Sequence, residues 1–206
     1  MNLPNKISLA RICMIPLFVL FFFLDMIPFH YGIAAIIFVV AACTDFIDGY
    51  IARKYNLVTN LGKFLDPIAD KVLVSTAMLL ILTMKETLFA GFHGASEALY
   101  IATAVCICII MARELIISAF RQIAAANGVI MAADKLGKYK TAFQDIAIFV
   151  IILVGGIGEI LPVEYAVPWD NYVAYFGLIL FAIATVLTVW SGISYVVKNR
   201  QVLKDA

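Results

Sequence analysis

The chain has 206 residues, 64% of them hydrophobic and 14% charged, with a mean hydropathy of +1.01. A water-soluble domain of this length has nowhere to hide so much apolar surface, because ordinary soluble chains run near half apolar. The formal net charge of +1 points to no charged partner, and no nucleic-acid partner is expected.

A hydrocarbon core about 30 Å thick takes roughly 20 helical residues to cross. Six apolar runs of about that length, 12–29, 32–53, 67–89, 98–120, 141–161 and 172–196, use most of the chain. Residues 1–206 therefore read as a single transmembrane domain. Backbone groups in lipid must be satisfied within their own segment, so the runs are predicted to be helices. Ahead of the first run, Asn5, Ser8 and Arg11 are interspersed with Ile7, Leu9 and Ile12. That pattern predicts a short N-terminal interfacial helix with an anchoring role, from which Asn5 and Arg11 can reach a site on the same face. The first run lacks a small-residue cleavage site and is read as a retained span. Pro28 and Gly32 mark the first turn, polar residues 54–65 the second connection, and Gly91 and Gly94 the third. Asn127, Gly128 and Gly137 punctuate the fourth, and Gly155, Gly156, Gly158, Pro162 and Pro168 surround the fifth. Cys13, Cys43, Cys106 and Cys108 all lie in apolar runs and are expected to be small buried hydrophobes.

Six helices place both termini on one side, and the basic residues choose the side. With the termini cytoplasmic, all of the 15 Lys and Arg residues except Lys85 fall at the inner face. The outer connections carry Asp25, Glu86, Glu97, Glu159, Glu164 and Asp170. This is the positive-inside pattern.

The informative stretch is DFIDGYIARKYNLVTNLGKFLDPIAD, residues 45–70. Asp45 and Asp48 are three apart near the cytoplasmic end of the second helix, and Asp66 and Asp70 are four apart at the start of the third. Each spacing puts its pair on one helical face. Pro67, tolerated in a first turn, predicts that the third helix starts near Asp66. A short connection makes the two helices antiparallel neighbours, so the four carboxylates can converge. Asp45 lies about 12 Å up the helix from Arg53 at 1.5 Å per residue. Carboxylates at that depth face an interior cavity and repel one another unless cations neutralise them. Hard oxygen donors favour Mg²⁺ or Mn²⁺, and two such ions suit four carboxylates. A metal pair at a membrane surface can neutralise and align a pyrophosphate, while one carboxylate accepts a proton from an alcohol nucleophile. Gly49, Ala52 and Gly62 leave room for a ligand to approach backbone, and Arg53 is suited to a phosphate. His30 and His93 fall at the opposite side of the membrane and are given no catalytic role. Intramembrane carboxylates also occur in cation transporters, but the outer halves of these helices offer no polar relay.

Asp45, Asp48, Gly49, Ala52, Arg53, Gly62, Asp66 and Asp70 match, without a departure, the signature of the CDP-alcohol phosphotransferase family. The resemblance extends over essentially the whole chain. It implies that Asp45, Asp48, Asp66 and Asp70 hold two divalent cations, with Asp70 also the general base. It implies that Gly49, Ala52, Arg53 and Gly62 bind the nucleotide, and that a phosphatidyl group passes from CDP-diacylglycerol to an alcohol as CMP leaves. A bacterial plasma-membrane enzyme, a cytoplasmic active site and a homodimer are implied as well.

Three stretches, LPNKISLARICMIPLF, ARELIISAFRQIAAANG and GKYKTAFQ, resemble the branch whose acceptor is sn-glycerol 3-phosphate and whose product is phosphatidylglycerophosphate. Arg113, Arg121, Lys135, Lys138 and Lys140 gather at the cytoplasmic ends of the fourth and fifth helices. Such a cluster suits an acceptor phosphate dianion, with Arg113, Lys138 and Lys140 ranked first. Sister enzymes using inositol phosphate or another alcohol would share the metal centre, and an uncharged acceptor such as serine would not need the basic cradle. Gln144 and Asp145 enter the fifth span as supporting or packing polar groups.

Overall fold

The structure, a computed structural model, describes residues 2–55, 59–89, 92, 94–126, 135–160 and 163–199. The side chains of residues 46, 52–53, 60–61, 63–64, 66–67, 125–126, 135, 158–159 and 163–171 lie outside the description. The element order is α1 (Leu3–Phe22), α2 (His30–Lys54), α3 (Asn60–Thr83), α4 (Lys85–Leu88), α5 (Ser96–Ala126), α6 (Lys135–Ile160) and α7 (Val163–Lys198). Among the described residues there is no strand. Five helical segments are long and apolar enough to cross a membrane: α1, His30–Ile51 of α2, Ser96–Ala124 of α5, Leu136–Ile157 of α6 and Tyr172–Lys198 of α7. The chain is an all-α, multi-pass membrane protein. α3 is not among the five, and its first half carries Lys63, Asp66, Asp70 and Lys71.

Two boundaries differ from the sequence reading. The short interfacial helix is not a separate element, because residues 3–11 continue into the span as one 20-residue helix. Pro4 sits in its first turn, where a missing N–H costs nothing. The buried stripe of α1 runs Pro4, Asn5, Ser8, Arg11, Ile15, Phe18 and Phe22, polar in its first half and apolar in its second. The polar half finds buried partners on α2 and so does not lie along headgroups. The third helix begins at Asn60, ahead of the predicted start near Asp66. Thr59 caps it, its Oγ1 accepting from Gly62 N–H at 3.0 Å, which satisfies one of the donors a helix start leaves open.

The main core lies among α1, α2, α3, α5, α6 and α7, around Phe18, Phe22, Phe38, Met78, Ile81, Ile151 and Phe181. Phe18 meets Phe22 edge-on at 6.1 Å and Phe38 at 5.9 Å between ring centroids. A smaller cluster of Ile117, Phe120, Ala124 and Tyr195 joins α5 to α7. Large apolar side chains such as Leu115, Val186 and Trp190 point outward, as they must where the surroundings are lipid. The cysteines correct the sequence reading. Cys13, Cys43 and Cys108 are exposed and Cys106 is partly buried. A thiol is apolar enough for lipid to accept it, so no packing force drives it inward. His30 is buried at the first turn, its Nδ1 3.0 Å from the Phe22 carbonyl oxygen and its ring 4.1 Å from that of Tyr31. His93 lies outside the described residues.

Lipid tails are as apolar as side chains, so helix pairs in a membrane are held by close packing, with small residues at the contact. The start of α2 shows such a contact. Phe29 adopts a left-handed backbone (φ 66°) and lays its ring over Gly32, where any side chain would collide. Gly156 of α6 then packs on bare backbone, since a Cβ there would stand 2.5 Å from Gly32 N and 2.9 Å from Gly32 Cα. Gly156→Ala is expected to separate α6 from α2 and lower the thermal midpoint in detergent by about 5 °C. That is the range overpacking of a tight contact gives in a chain of this size. An unchanged midpoint would show that the contact can relax freely.

Candidate active site

The opposite end of α2 carries the acidic residues. Asp45 and Asp48 share a face one turn apart, and α1 packs against that face. Asp48 is 2% exposed, whereas the Asp45 side chain is 47% exposed and keeps open positions around its oxygens. Between them lies Arg11, whose side chain has no exposed surface. Its Nη1 donates to Asp45 Oδ1 at 2.6 Å and its Nη2 to Asp48 Oδ2 at 2.7 Å. Its Nε donates to Thr44 Oγ1 at 3.1 Å, and that hydroxyl donates to the Ala41 carbonyl at 2.6 Å. The Ser8 hydroxyl is 3.2 Å from Asp48 Oδ2 and 3.1 Å from the Pro4 carbonyl oxygen. A planar guanidinium presents its donors in a fixed fork, so this arrangement fixes both carboxylates in angle as well as distance.

The start of α3 is tied to the same surface. Thr59 Oγ1 donates to Asn5 Oδ1 at 2.9 Å while accepting from Gly62 N–H. A Cβ on Gly62 would lie 2.9 Å from Asn5 Oδ1, so the glycine lets the helix start close against α1. Asn5, Ser8 and Arg11 are all buried, at 4%, 0% and 0% exposure, which replaces the expected anchoring role with one inside the acidic constellation. The signal was present in the sequence: three polar residues spaced by three form one helical stripe, and an intramembrane stripe of that kind needs polar partners.

Asp70, on α3, is partly buried and lies in the electrostatic field of Asp45, Arg11, Glu114 and Lys140. Gly49 is partly buried beside Asp48 on α2. The side chains of Ala52, Arg53 and Asp66 lie outside the described residues, although their backbones belong to α2 and α3.

Glu114 organises the basic residues on the far wall. Its Oε1 accepts from Lys140 Nζ at 2.7 Å and from Arg113 Nη1 at 2.8 Å, and its backbone carbonyl accepts from Lys71 Nζ at 3.1 Å. Lys140 is only 3% exposed and shares the field of Asp70. Arg113 turns toward α7, where its Nη2 donates to Ser191 Oγ at 2.9 Å. It also walls an apolar groove of about 510 Å³ with Ile116, Ile117, Gly192, Ile193 and Val196. Arg121 donates to Tyr195 Oη at 3.1 Å and stacks over that ring at 5.2 Å. Lys138 is exposed on α6, and the side chain of Lys135 lies outside the described residues. Of the basic residues singled out in the sequence whose side chains are described, Lys140 is the one that shares the electrostatic field of Asp70. Gln144 donates to Met78 Sδ at 3.7 Å. Among the described residues, Asp145 Oδ1 is buried without a hydrogen-bond partner, in the field of Asp70 and Lys140.

Among the described residues, no three acidic, thiol or imidazole side chains are gathered to hold an ion as they stand. The donor chemistry nevertheless fits a divalent cation. Asp45, Asp48 and Asp70 offer hard oxygens; among the described residues Arg11 pairs with the first two, and Lys140 is already paired with Glu114. A cation already occupies the space between Asp45 and Asp48, and it is the protein's own.

Comparisons with known proteins identify the family. The family model for CDP-alcohol phosphatidyltransferase matches residues 1–193. The chain is 36% identical to the CDP-diacylglycerol–glycerol-3-phosphate 3-phosphatidyltransferase of Bacillus subtilis (strain 168), over 100% of this chain and 98% of that protein. It is 38% identical to the enzyme of the same name from Escherichia coli (strain K12), over 99% of this chain and 98% of that protein. For the Rickettsia bellii (strain RML369-C) enzyme the identity is 36%, over 94% and 93%. With a family match over residues 1–193 and end-to-end relatives at 36–38% identity, the chain belongs to the CDP-alcohol phosphatidyltransferase family.

Proposed function

We propose that this chain transfers the phosphatidyl group of CDP-diacylglycerol to sn-glycerol 3-phosphate, giving phosphatidylglycerophosphate and CMP. The observation that supports the reading is that Asp70 lies in the electrostatic field of both Asp45 and the buried Lys140, within a chain that aligns end to end with enzymes named for this acceptor. Asp45, Asp48, Asp66 and Asp70 would hold the divalent cations, Mg²⁺ or Mn²⁺, which would supply neutralisation of the diphosphate and of charge on the leaving oxygen. Asp70 takes the proton of the acceptor hydroxyl. That oxygen attacks the β-phosphorus, the bond from phosphorus to the CMP oxygen breaks, and CMP departs with the electron pair. Gly49, Ala52 and Gly62 leave backbone accessible to the nucleotide, and Arg53 steadies its phosphates.

Lys140 supplies positive charge for the acceptor phosphate, with Arg113, Lys138, Arg121 and Lys135 extending the basic wall. α3 is the sixth membrane span, both termini are cytoplasmic, and the site opens at the inner face of a bacterial plasma membrane. This topology rests on the clustering of Lys and Arg at one end of the helices. The enzyme works as a homodimer.

Release of CMP from CDP-diacylglycerol, measured with radiolabelled glycerol 3-phosphate, inositol phosphate or serine, tests the assignment. Turnover at least about tenfold faster with glycerol 3-phosphate is expected, since an acceptor whose polar groups match the site gains roughly 1.4 kcal/mol or more over one that leaves them unpaired. Equal or faster turnover with inositol phosphate would move the chain to a sister activity.

A further inference from the structure

We propose that Arg11 is the built-in counter-ion of the Asp45–Asp48 pair, holding both carboxylates in place until divalent cations take over their charge. The proposal rests on the metal reading given above and concerns what this chain does before metal arrives. Arg11 is completely buried, and every one of its guanidinium nitrogens has a partner: Asp45 at 2.6 Å, Asp48 at 2.7 Å and Thr44 at 3.1 Å. Two carboxylates one turn apart, Asp48 buried and Asp45 half-exposed, repel one another unless compensated, and a guanidinium is the side chain that remains charged when desolvated. Its placement on α1 matters. A counter-ion from another helix ties α1 to α2 across the mouth of the site, which Ser8 and the Asn5–Thr59 contact reinforce.

The same geometry makes Arg11 and the metal antagonists. Both draw on the negative charge of Asp45 and Asp48, and two cations sharing those oxygens repel at close range. Binding linkage is reciprocal, so whatever part of Arg11's contribution is lost when metal binds is subtracted from metal affinity. Arg11 is thus a positioning residue with a predictable sign, opposite to that of a simple anchor. An anchor, when removed, loosens the site and weakens metal binding. A counter-ion, when removed, leaves stranded carboxylates that bind metal more tightly.

The test uses the full-length protein in detergent. Mn²⁺ affinity is measured by electron paramagnetic resonance without substrate, and thermal midpoints are measured in EDTA and in saturating Mn²⁺. Arg11→Met is expected to lower the EDTA midpoint by about 10 °C, the effect of stranding buried charge in a chain of this size. In Mn²⁺ it should lose less than about half of that, and its Mn²⁺ dissociation constant should fall about tenfold. Arg11→Lys keeps the charge but not the fork. It should fall between wild type and Arg11→Met on both readouts, and it provides a folded variant should Arg11→Met not survive solubilisation. Equal midpoint losses with and without Mn²⁺, or an unchanged or weakened Mn²⁺ affinity in the variants, would overturn the counter-ion role while leaving the metal centre standing. A wild-type protein that binds no Mn²⁺ would remove the metal centre itself, and the counter-ion role with it.

Discussion

Asp70→Asn is expected to cut CMP release from CDP-diacylglycerol by about 10³-fold at saturating acceptor. A positioned general base contributes roughly 10² to 10⁴ in rate, and this carboxylate is proposed as a metal ligand as well. Asparagine has nearly the same shape but cannot take a proton from a hydroxyl, so the deficit should appear in kcat rather than in folding. The Arg11 bridge to Asp45 and Asp48 does not involve Asp70, so α1 and α2 should remain joined in the variant. Size-exclusion behaviour like that of the wild type would check this. Turnover above about a tenth of the wild-type rate would mean that another group takes the proton. Asp145, which shares the field of Asp70 and Lys140, would then be the first residue to replace.

Chelation of divalent metal should bring CMP release below about a hundredth of its starting rate, with millimolar Mg²⁺ or Mn²⁺ restoring it. Metal stabilisation of transition-state charge is worth several kcal/mol, and each 1.4 kcal/mol is a factor of ten. The charge balance of the site points the same way. Asp45, Asp48 and Asp70 outnumber the single guanidinium of Arg11, while Lys140 is engaged by Glu114. A diphosphate adds further negative charge to the site. Full turnover in EDTA would remove metal from the mechanism and leave Arg11 and Lys140 as the charge-stabilising groups.

Much of this was legible in the chain because membranes impose few solutions. A run of about 20 apolar residues in lipid has to be a helix, so the positions of most helices followed from hydropathy alone. The acidic residues were equally visible. Charge is rare within such runs, and spacings of three and four give a shared face without knowledge of the fold. Boundaries were less accessible. α3 starts at Asn60 because Thr59 and Gly62 form a cap, and that cap works in concert with Asn5 of a different helix. The outward-facing cysteines were misplaced because apolarity, which points inward in a soluble protein, has no preferred direction in lipid.

The basic residues divide most sharply. Their sequence positions put Arg113 and Arg121 in the second half of α5 and Lys138 and Lys140 at the start of α6, next to the connection between the two helices. Where each of their side chains goes depends on its partners: Glu114 holds Lys140 and Arg113, Ser191 draws Arg113 toward α7, and Tyr195 holds Arg121. Local sequence determined that helices span lipid and that the carboxylates come in pairs, because period and hydropathy are read within a single segment. Only the tertiary structure decided that Arg11, more than thirty residues away in the chain, lies between Asp45 and Asp48. A buried charge is satisfied by whatever opposite charge packing brings within reach, and sequence distance does not measure that.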